Sequence, residues 1–174
     1  MIRDAARKAL VILVAAGCAC AAPAREYGAA APRQVEPVSD PAPFREVANP
    51  GTQIQDLVAR INRHRRALGC PTLRWDDRLA AVALRHSQDM ARRRFFSHTN
   101  PDGRDPFDRM RRSGIRFRAA AENLAAGQIT GVETFDGWMG SPGHRRNLED
   151  CDYTRIGIGL HRGRWTCLLS LPPG

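Results

Sequence analysis

Five histidines of this sequence have side chains that can bind a metal ion and, because their ordinary pKa lies near neutral pH, can also transfer a proton there. They are His64, His86, His98, His144 and His161. No pair has the His-Glu-x-x-His spacing of a zinc peptidase, and no pair has zinc-finger spacing. Spacing alone therefore predicts no metal site, and a lone histidine is more often solvated or hydrogen-bonded than a ligand.

One of these histidines lies directly after a helix-start signal in the segment GWMGSPGHRRN, residues 137–147. Ser141 suits the N-cap of a helix, where its hydroxyl would be committed to a backbone amide, and Pro142 suits the first helical position. The Ser-Pro pair therefore has a structural explanation that is independent of function. It leaves His144 in the first turn of the predicted helix.

Hydrophobic periodicity and capping residues indicate the elements that must position these histidines. Predicted helices begin at Thr52, at Asp76 or Asp77, at Asp105, at Thr130 and at Ser141. TRIGIGLH and RWTCLLSL, joined by Arg162-Gly163, predict an antiparallel hairpin, and TLRW and AENLAAG are further candidate strands. Helices grouped before a hairpin indicate an α+β fold with a small antiparallel sheet covered by helices. Trp75, Trp138 and Trp165 are predicted to lie in its core.

Length and charge restrict the domain count and the partners. The 174 residues suffice for one domain and a tail, and the formal net charge is +9. Lys8 is the only lysine among 27 basic residues, so nearly all of this charge is carried by arginine. The choice of arginine fits a compositional bias, yet the positive field attracts anionic surfaces such as cell wall or acidic lipid.

The N-terminus has the pattern of an export signal in residues 1–18. Arg3, Arg7 and Lys8 precede an apolar run, residues 9–17, that is too short to span a bilayer. AAGC resembles a bacterial lipobox in which Cys18 is acylated, and cleavage at a nearby small-x-small site is the alternative. Export argues against nucleic acid as the partner and indicates a membrane-anchored lipoprotein or a secreted or periplasmic protein.

Residues 19–50 are rich in Ala and Pro and lack periodicity, which predicts a flexible tether ahead of a domain at 51–174. An oxidising compartment allows disulfides. If Cys18 is acylated, four cysteines remain, and their spacing does not choose among three connectivities.

Four ordered segments together resemble one known family. FFSHTNPDGRDPFDRM, AENLAAG, GWMGSPGHRRNLEDCDYTRIGIG and WTC occur in this order. They are similar to the CAP superfamily of cysteine-rich secretory, antigen 5 and pathogenesis-related proteins, and most similar to its small bacterial SCP-like extracellular branch. The resemblance covers about residues 52–170 and implies an α-β-α sandwich with a central antiparallel sheet.

The family cleft implies the site residues. Two histidines and two glutamates line it in well-known members, and three of them correspond here to His98, Glu122 and His144. Ser141 stands where the second glutamate is expected, which leaves the set incomplete. The resemblance also implies a disulfide between Cys70 of the GCP turn and Cys151, and it leaves Cys167 and Cys20 unassigned.

Paired imidazoles can hold Zn²⁺ weakly, with His98 and His144 as ligands and Glu122 and Ser141 orienting them or a bound water. The alternative is a hydrogen-bonded network that only joins loops to the sheet. His98, Glu122 and His144 are also the candidate catalytic residues, but a three-ligand zinc motif and a Ser-His-Asp set are absent from the sequence. We therefore expect an exported binding or scaffold module for a small ligand or a protein. A metal-dependent, peptidase-like hydrolase and a lipid or sterol carrier are the alternatives.

Overall fold

A computed structural model describes residues 44–174. The export signal, Cys18, Cys20 and most of the expected tether lie outside the described residues. In chain order the elements are α1 Pro50–Ala67, β1 Arg74–Trp75, α2 Asp77–Arg93, α3 Pro106–Arg112, β2 Ala119–Ala126, α4 Gly131–Gly140, α5 Pro142–Glu149, β3 Arg155–His161 and β4 Arg164–Leu171. Among the described residues, no helix combines the length and the apolarity needed to cross a bilayer.

The sheet has the strand order β1-β3-β4-β2. The predicted hairpin is confirmed: β3 and β4 pair antiparallel, and Arg162 and Gly163 turn the chain with positive φ angles of 48° and 70°. β2 pairs antiparallel with β4 and forms one edge of the sheet. The short β1 lies at the other edge and runs parallel to β3, which the sequence did not predict.

The two faces of the sheet pack against different helices, as the sandwich expectation requires. Side chains of β3 and β4 on one face join a core with α1, α4 and α5 that includes Ile156, Ile158, Trp138 and Trp165. On the other face, Leu168 of β4 packs with residues of α2 and α3. The α-β-α architecture and the α+β class are therefore confirmed.

Two glycines of β3 bring α2 into close contact with the sheet. Gly157 and Gly159 alternate with isoleucines along the strand, and an added Cβ would collide with the α2 backbone at Ala80 and at Leu84. Because backbone lies directly against backbone here, side chains larger than hydrogen cannot occupy these two positions. This contact sets the position of α2 relative to the sheet.

Three of the predicted helix starts are confirmed by capping hydrogen bonds. Asp76 accepts from the amides of Arg78 and Leu79, and Asp105 and Thr130 accept from amides in the first turns of α3 and α4. These bonds satisfy amides that have no partner within a helix.

The starts predicted at Thr52 and Ser141 need correction. Helix α1 begins two residues before Thr52, at Pro50, whose ring suits the first helical position, and Asn49 at the N-cap makes no side-chain bond. Ser141 does occupy the N-cap of α5, but its hydroxyl makes no capping hydrogen bond. The hydroxyl is therefore not committed in the way that the sequence pattern suggested.

The tryptophan prediction holds for two of three residues. Trp138 and Trp165 are buried, whereas Trp75 is 40% exposed and donates its ring N–H to Asp77. Trp75 lies in the two-residue edge strand β1, where too little structure covers the outer face to bury an indole.

A disulfide joins Cys70, after α1, to Cys151, after α5, as the family resemblance implied. The buried Arg65 reinforces this junction by donating four hydrogen bonds to the backbone carbonyls of Pro71, Leu148, Asp150 and Tyr153. Cys167 is a free thiol buried in β4.

Candidate functional site

Glu122, on the edge strand β2, is the centre of the site. Its side chain is 1% exposed, and both carboxylate oxygens have partners: Oε1 lies 2.8 Å from Nδ1 of His98, and Oε2 lies 2.6 Å from NH2 of Arg109. A buried carboxylate needs such paired donors, because an isolated charge would be strongly destabilising. Glu122 therefore connects the loop after α2 with helix α3.

His98 is oriented by this contact. A carboxylate oxygen only accepts hydrogen bonds, so Nδ1 of His98 carries the proton and, in the neutral ring, Nε2 keeps a free lone pair. The imidazole is 53% exposed, which leaves it accessible from solvent. This is the arrangement in which a carboxylate orients a metal-binding histidine.

Arg109 holds the backbone of this loop as well as the carboxylate. Its NH1 donates to the carbonyl oxygen of His98 at 2.7 Å and to that of Arg104 at 2.9 Å. The position of His98 thus depends on a residue of α3 that sequence reasoning missed. Nothing in the stretch DPFDRMRR distinguishes Arg109 from its arginine neighbours, because the contact with Glu122 exists only in the fold.

His144 approaches from α5 and is half-buried. Burial lowers its pKa, and the nearby His98 lowers it further, so the two imidazoles are electrostatically coupled and His144 is neutral at pH 7. Asn123, next to Glu122 on β2, donates to the backbone carbonyl of His144 at 3.0 Å and accepts from Asn147 at 2.8 Å. These amide contacts attach α5 to the same edge strand that carries Glu122.

The structure therefore brings together the three residues carried over from the family motifs: His98, Glu122 and His144. In the described residues, 44–174, no group of three or more His, Cys, Asp or Glu side chains is arranged to hold a metal ion. The nitrogen donors available at the cleft are two imidazoles, one oriented by Glu122 and one neutral. This set suits a divalent ion bound weakly, with further positions open to a ligand.

His86, on α2, is not one of the candidate site residues. It is packed: its Nε2 lies 3.0 Å from the carbonyl oxygen of Ser97, and its ring contacts Phe95 edge-on. Burial lowers its pKa; to a smaller extent, the charge of Glu122 raises the pKa and the charge of Arg109 lowers it further. The other two histidines lie elsewhere: His64 pairs with Glu149, and His161 ends β3.

The fold agrees with the family comparison. The chain belongs to the cysteine-rich secretory protein (CAP) family, whose profile matches residues 58–169. The resemblance read from the four ordered segments is thereby confirmed.

Two curated relatives come from Bacillus subtilis (strain 168). The protein YkwD is 39% identical over 103 residues, which are 59% of this chain and 40% of YkwD. The membrane protein YlbC is 37% identical over 115 residues, which are 66% of this chain and 32% of YlbC. The matches thus span less than half the length of either relative.

Solved structures show the same fold. An extracellular protein containing an SCP domain from Bacillus anthracis has a TM-score of 0.67 and 34% identity, and the match covers 69% of this chain and 40% of that one. An outer surface protein from Borrelia burgdorferi has a TM-score of 0.66 and 24% identity, with 70% of this chain and 94% of that one covered. The second likeness concerns the fold alone.

Proposed function

We propose that this chain is an exported binding module whose cleft, formed by His98, Glu122 and His144, takes a divalent metal ion. Export is supported by the basic and apolar N-terminal pattern and by the similar protein of Bacillus anthracis, which is extracellular. The disulfide between Cys70 and Cys151 suits an oxidising compartment. Attachment through an acylated Cys18 is the proposed anchor.

The observation that supports this proposal most directly is the burial and the hydrogen bonding of the Glu122 carboxylate. Both of its oxygens accept hydrogen bonds from protein donors, and the side chain is buried. A general base must reach the proton of a water or substrate, and this enclosed carboxylate offers neither a free face nor access. Its role is to fix the ring and the tautomer of His98, so the atom left to meet an ion or a ligand is Nε2 of His98 and not the carboxylate.

The two imidazoles are the proposed metal ligands. Nε2 of His98 is free to coordinate, and the lowered pKa of His144 keeps that ring neutral, as metal binding requires. A bound ion would supply a positive charge with open positions for the oxygen of a ligand. Ser141, at the start of the helix that carries His144, has a hydroxyl without a capping bond and is proposed to hold a water beside the ion.

Calorimetric titration of Zn²⁺ into the full chain carrying Cys18→Ser tests the metal site. We expect saturable binding at pH 7.5 that is lost in His98→Ala and His144→Ala and weakened at pH 5.5, where imidazoles are protonated. Glu122→Gln should weaken binding about tenfold, because Gln has one acceptor oxygen where His98 and Arg109 each use one, and it lacks the charge that orients the ring of His98. The control is His161→Ala, at the end of β3 and outside the contacts of the cleft.

Equal Zn²⁺ binding by the wild type and both histidine variants, all folded by circular dichroism, would refute the cleft as the metal site. A screen of peptides and esters for hydrolysis distinguishes a binding module from an enzyme. Turnover that disappears with His98→Ala or His144→Ala would replace the binding proposal by a hydrolase.

A further inference from the structure

Positive charge is unevenly distributed over the described residues. Residues 85–118, from the middle of α2 to the residue before β2, contain ten arginines and four acidic residues, a net charge of +6. The other described residues contain twelve arginines and ten acidic residues, a net charge of +2. One segment of the chain therefore supplies most of the positive field of the domain.

A cavity of about 360 Å³ brings part of this segment together. It is lined by residues of α2, of the loop that follows and of α3, and its arginines are Arg85, Arg92, Arg104, Arg109 and Arg112. Of these, Arg109 also bonds the carboxylate of Glu122 in the cleft. The other four have no contact with the proposed metal ligands, so an inference drawn from them goes beyond the metal site.

Ion pairs neutralise only part of the charge at this cavity. Its two acidic residues, Asp89 and Asp102, face Arg92 and Arg93 at distances of 2.9–3.9 Å, so two carboxylates balance two arginines. Arg109 is balanced by the carboxylate of the cleft at 2.6 Å. The lining arginines that make no ion pair among the described residues form a group that we call the arginine face: Arg85, Arg104 and Arg112.

The arginine face is open to a partner. Its three residues are exposed, and the hydrogen bond that Arg85 donates to a hydroxyl at 2.9 Å is the only side-chain hydrogen bond of the face within residues 44–174. The charges of Asp102 and Asp108 reach Arg104 and Arg112 only from beyond ion-pair distance. Because a guanidinium has five N–H donors, most donors of the face are left for an anionic partner.

The surroundings of the arginine face favour a water-soluble polyanion over a bilayer. Membrane-binding surfaces combine basic residues with apolar side chains that enter the headgroup region. Leu84 is next to Arg85 in the chain, and no other exposed large apolar side chain of the described residues lies in or beside residues 85–118. The full set is Phe44, Leu68, Trp75, Leu84 and Val132. A single leucine does not form an apolar cluster that a bilayer could hold.

The aromatic residues of the segment argue against a nucleic acid. Proteins that bind single strands stack the bases on exposed aromatic rings. The four phenylalanines of residues 85–118 are all partly buried. Phe107 packs against Phe117 at 6.0 Å between ring centroids, and Phe95 packs against His86 at 5.7 Å. This segment therefore offers charge without an exposed ring for a base.

We propose that the arginine face binds a linear polyanion of the cell envelope whose repeating units are joined by phosphodiester groups. The planar N–H groups of arginine match phosphate oxygens. A single exposed charge contact contributes little, so a chain that reaches several arginines at once is favoured over a small anion. Further exposed arginines of the segment that make no ion pair among the described residues can extend the contact: Arg94, Arg116 and Arg118. The inference rests on the proposed export and is independent of the proposed metal.

The test is a titration of the full chain carrying Cys18→Ser with a labelled glycerol phosphate oligomer, at several salt concentrations and with a chelator present. The triple variant Arg85→Gln, Arg104→Gln, Arg112→Gln should bind about tenfold more weakly or worse at low salt. The slope of log affinity against log salt should become shallower by about 2, because each lost phosphate contact removes about 0.7.

A matched variant distinguishes the arginine face from the total charge of the chain. Arg63, Arg66 and Arg74 are exposed and make no ion pair among the described residues, so their triple replacement by Gln changes the net charge equally. This variant should keep the salt slope and most of the affinity. His98→Ala and His144→Ala should retain polymer binding, so failure of this proposal is distinct from failure of the metal site. Circular dichroism checks that every variant is folded.

Four outcomes would overturn the proposal. Equal losses in the two arginine triple variants would show an effect of net charge alone. Tighter binding of poly(dT) than of a glycerol phosphate oligomer with the same number of charges would indicate a nucleic acid, and tighter binding of polyglutamate would indicate a carboxylate polymer. Binding to phosphatidylglycerol vesicles that depends on the arginine face, without binding of the oligomer, would indicate a membrane surface.

Discussion

Two arginines, one fully buried and one partly buried, belong to two regions of this molecule with opposite properties. Arg65, at the disulfide junction, is 0% exposed and donates four hydrogen bonds of 2.8–2.9 Å, all to backbone carbonyls. Arg109, at the edge strand β2, bonds two carbonyls and the carboxylate of Glu122, and its Nε has no partner among the described residues.

This difference distinguishes a structural region, around Arg65, from a candidate binding region, around Arg109. At the junction around Arg65, the guanidinium and the carbonyls satisfy one another, and little capacity is left for a ligand. Around Arg109, one bond is to the carboxylate of Glu122, which also contacts the exposed imidazole of His98, and Arg109 itself lines a cavity. A buried polar atom without a hydrogen-bond partner costs free energy. A region that keeps such an atom is therefore a candidate for ligand binding.

Replacement of Arg65 should have the largest effect on stability. Arg65→Met would leave four carbonyls without their donor, and we expect the free energy of unfolding to fall by about 4 kcal/mol. Urea unfolding of this variant beside Arg66→Met, an exposed neighbour on the same helix, measures the difference. If both variants lose the same free energy, Arg65 is not the structural centre of the junction. In the folded fraction, Zn²⁺ affinity should be unchanged.

Glu122→Gln should have an intermediate effect on stability and a direct effect on the site. Removal of the charge leaves the largely buried Arg109 without its counterion, at an expected cost of about 3 kcal/mol. Asp56→Asn, in the part-exposed pair with Arg60, is the control and should cost about 0.5 kcal/mol or less. Equal losses in the two variants would show that the site contributes no more stability than an ordinary surface pair.

The smallest effect expected is a decline in stability between pH 7.5 and pH 5.5. Burial lowers the folded-state pKa of His86 and of His144, so below about 6.5 the unfolded chain binds more protons than the folded chain. Their full contribution is present above that pH and is lost as the pH falls towards the folded-state values. Asp89, Glu122 and Arg109 are the charges acting on His86.

Urea unfolding at the two pH values measures this decline. His86→Gln should flatten the dependence, whereas His161→Gln should leave it as in the wild type. An unchanged slope in His86→Gln would mean that this buried ring does not carry the pH dependence.

The residues with local signals were predictable, and those defined only by tertiary contacts were not. The alternation of apolar residues in TRIGIGLH and RWTCLLSL predicted the hairpin, and the N-cap residues Asp76, Asp105 and Thr130 predicted the starts of their helices. Both signals are local, because strand periodicity and helix capping act over a few residues. His98, Glu122 and His144 were found through ordered family motifs. These motifs also paired Cys70 with Cys151.

Arg109 and His86 carried no such signal. Arg109 is one arginine within a basic stretch, and only the fold places it 2.6 Å from Glu122. The unpaired Nδ1 of His86 depends on what surrounds α2, which a sequence pattern does not contain. The prediction that Trp75 lies in the core was wrong for a related reason. Burial of an indole requires a neighbouring layer of structure, and β1 is a two-residue edge strand.

The direct contact of α2 with β3 through Gly157 and Gly159 fixes how closely the residues of α2 lie to the sheet. Helix α2 carries Arg85 and His86, and its distance from the sheet is set by the absence of two methyl groups. A methyl group at Gly159 would collide with the backbone nitrogen of Leu84, so α2 could not keep its place beside a side chain there. Two positions in the middle of a strand thus fix where Arg85 and His86 stand relative to the sheet.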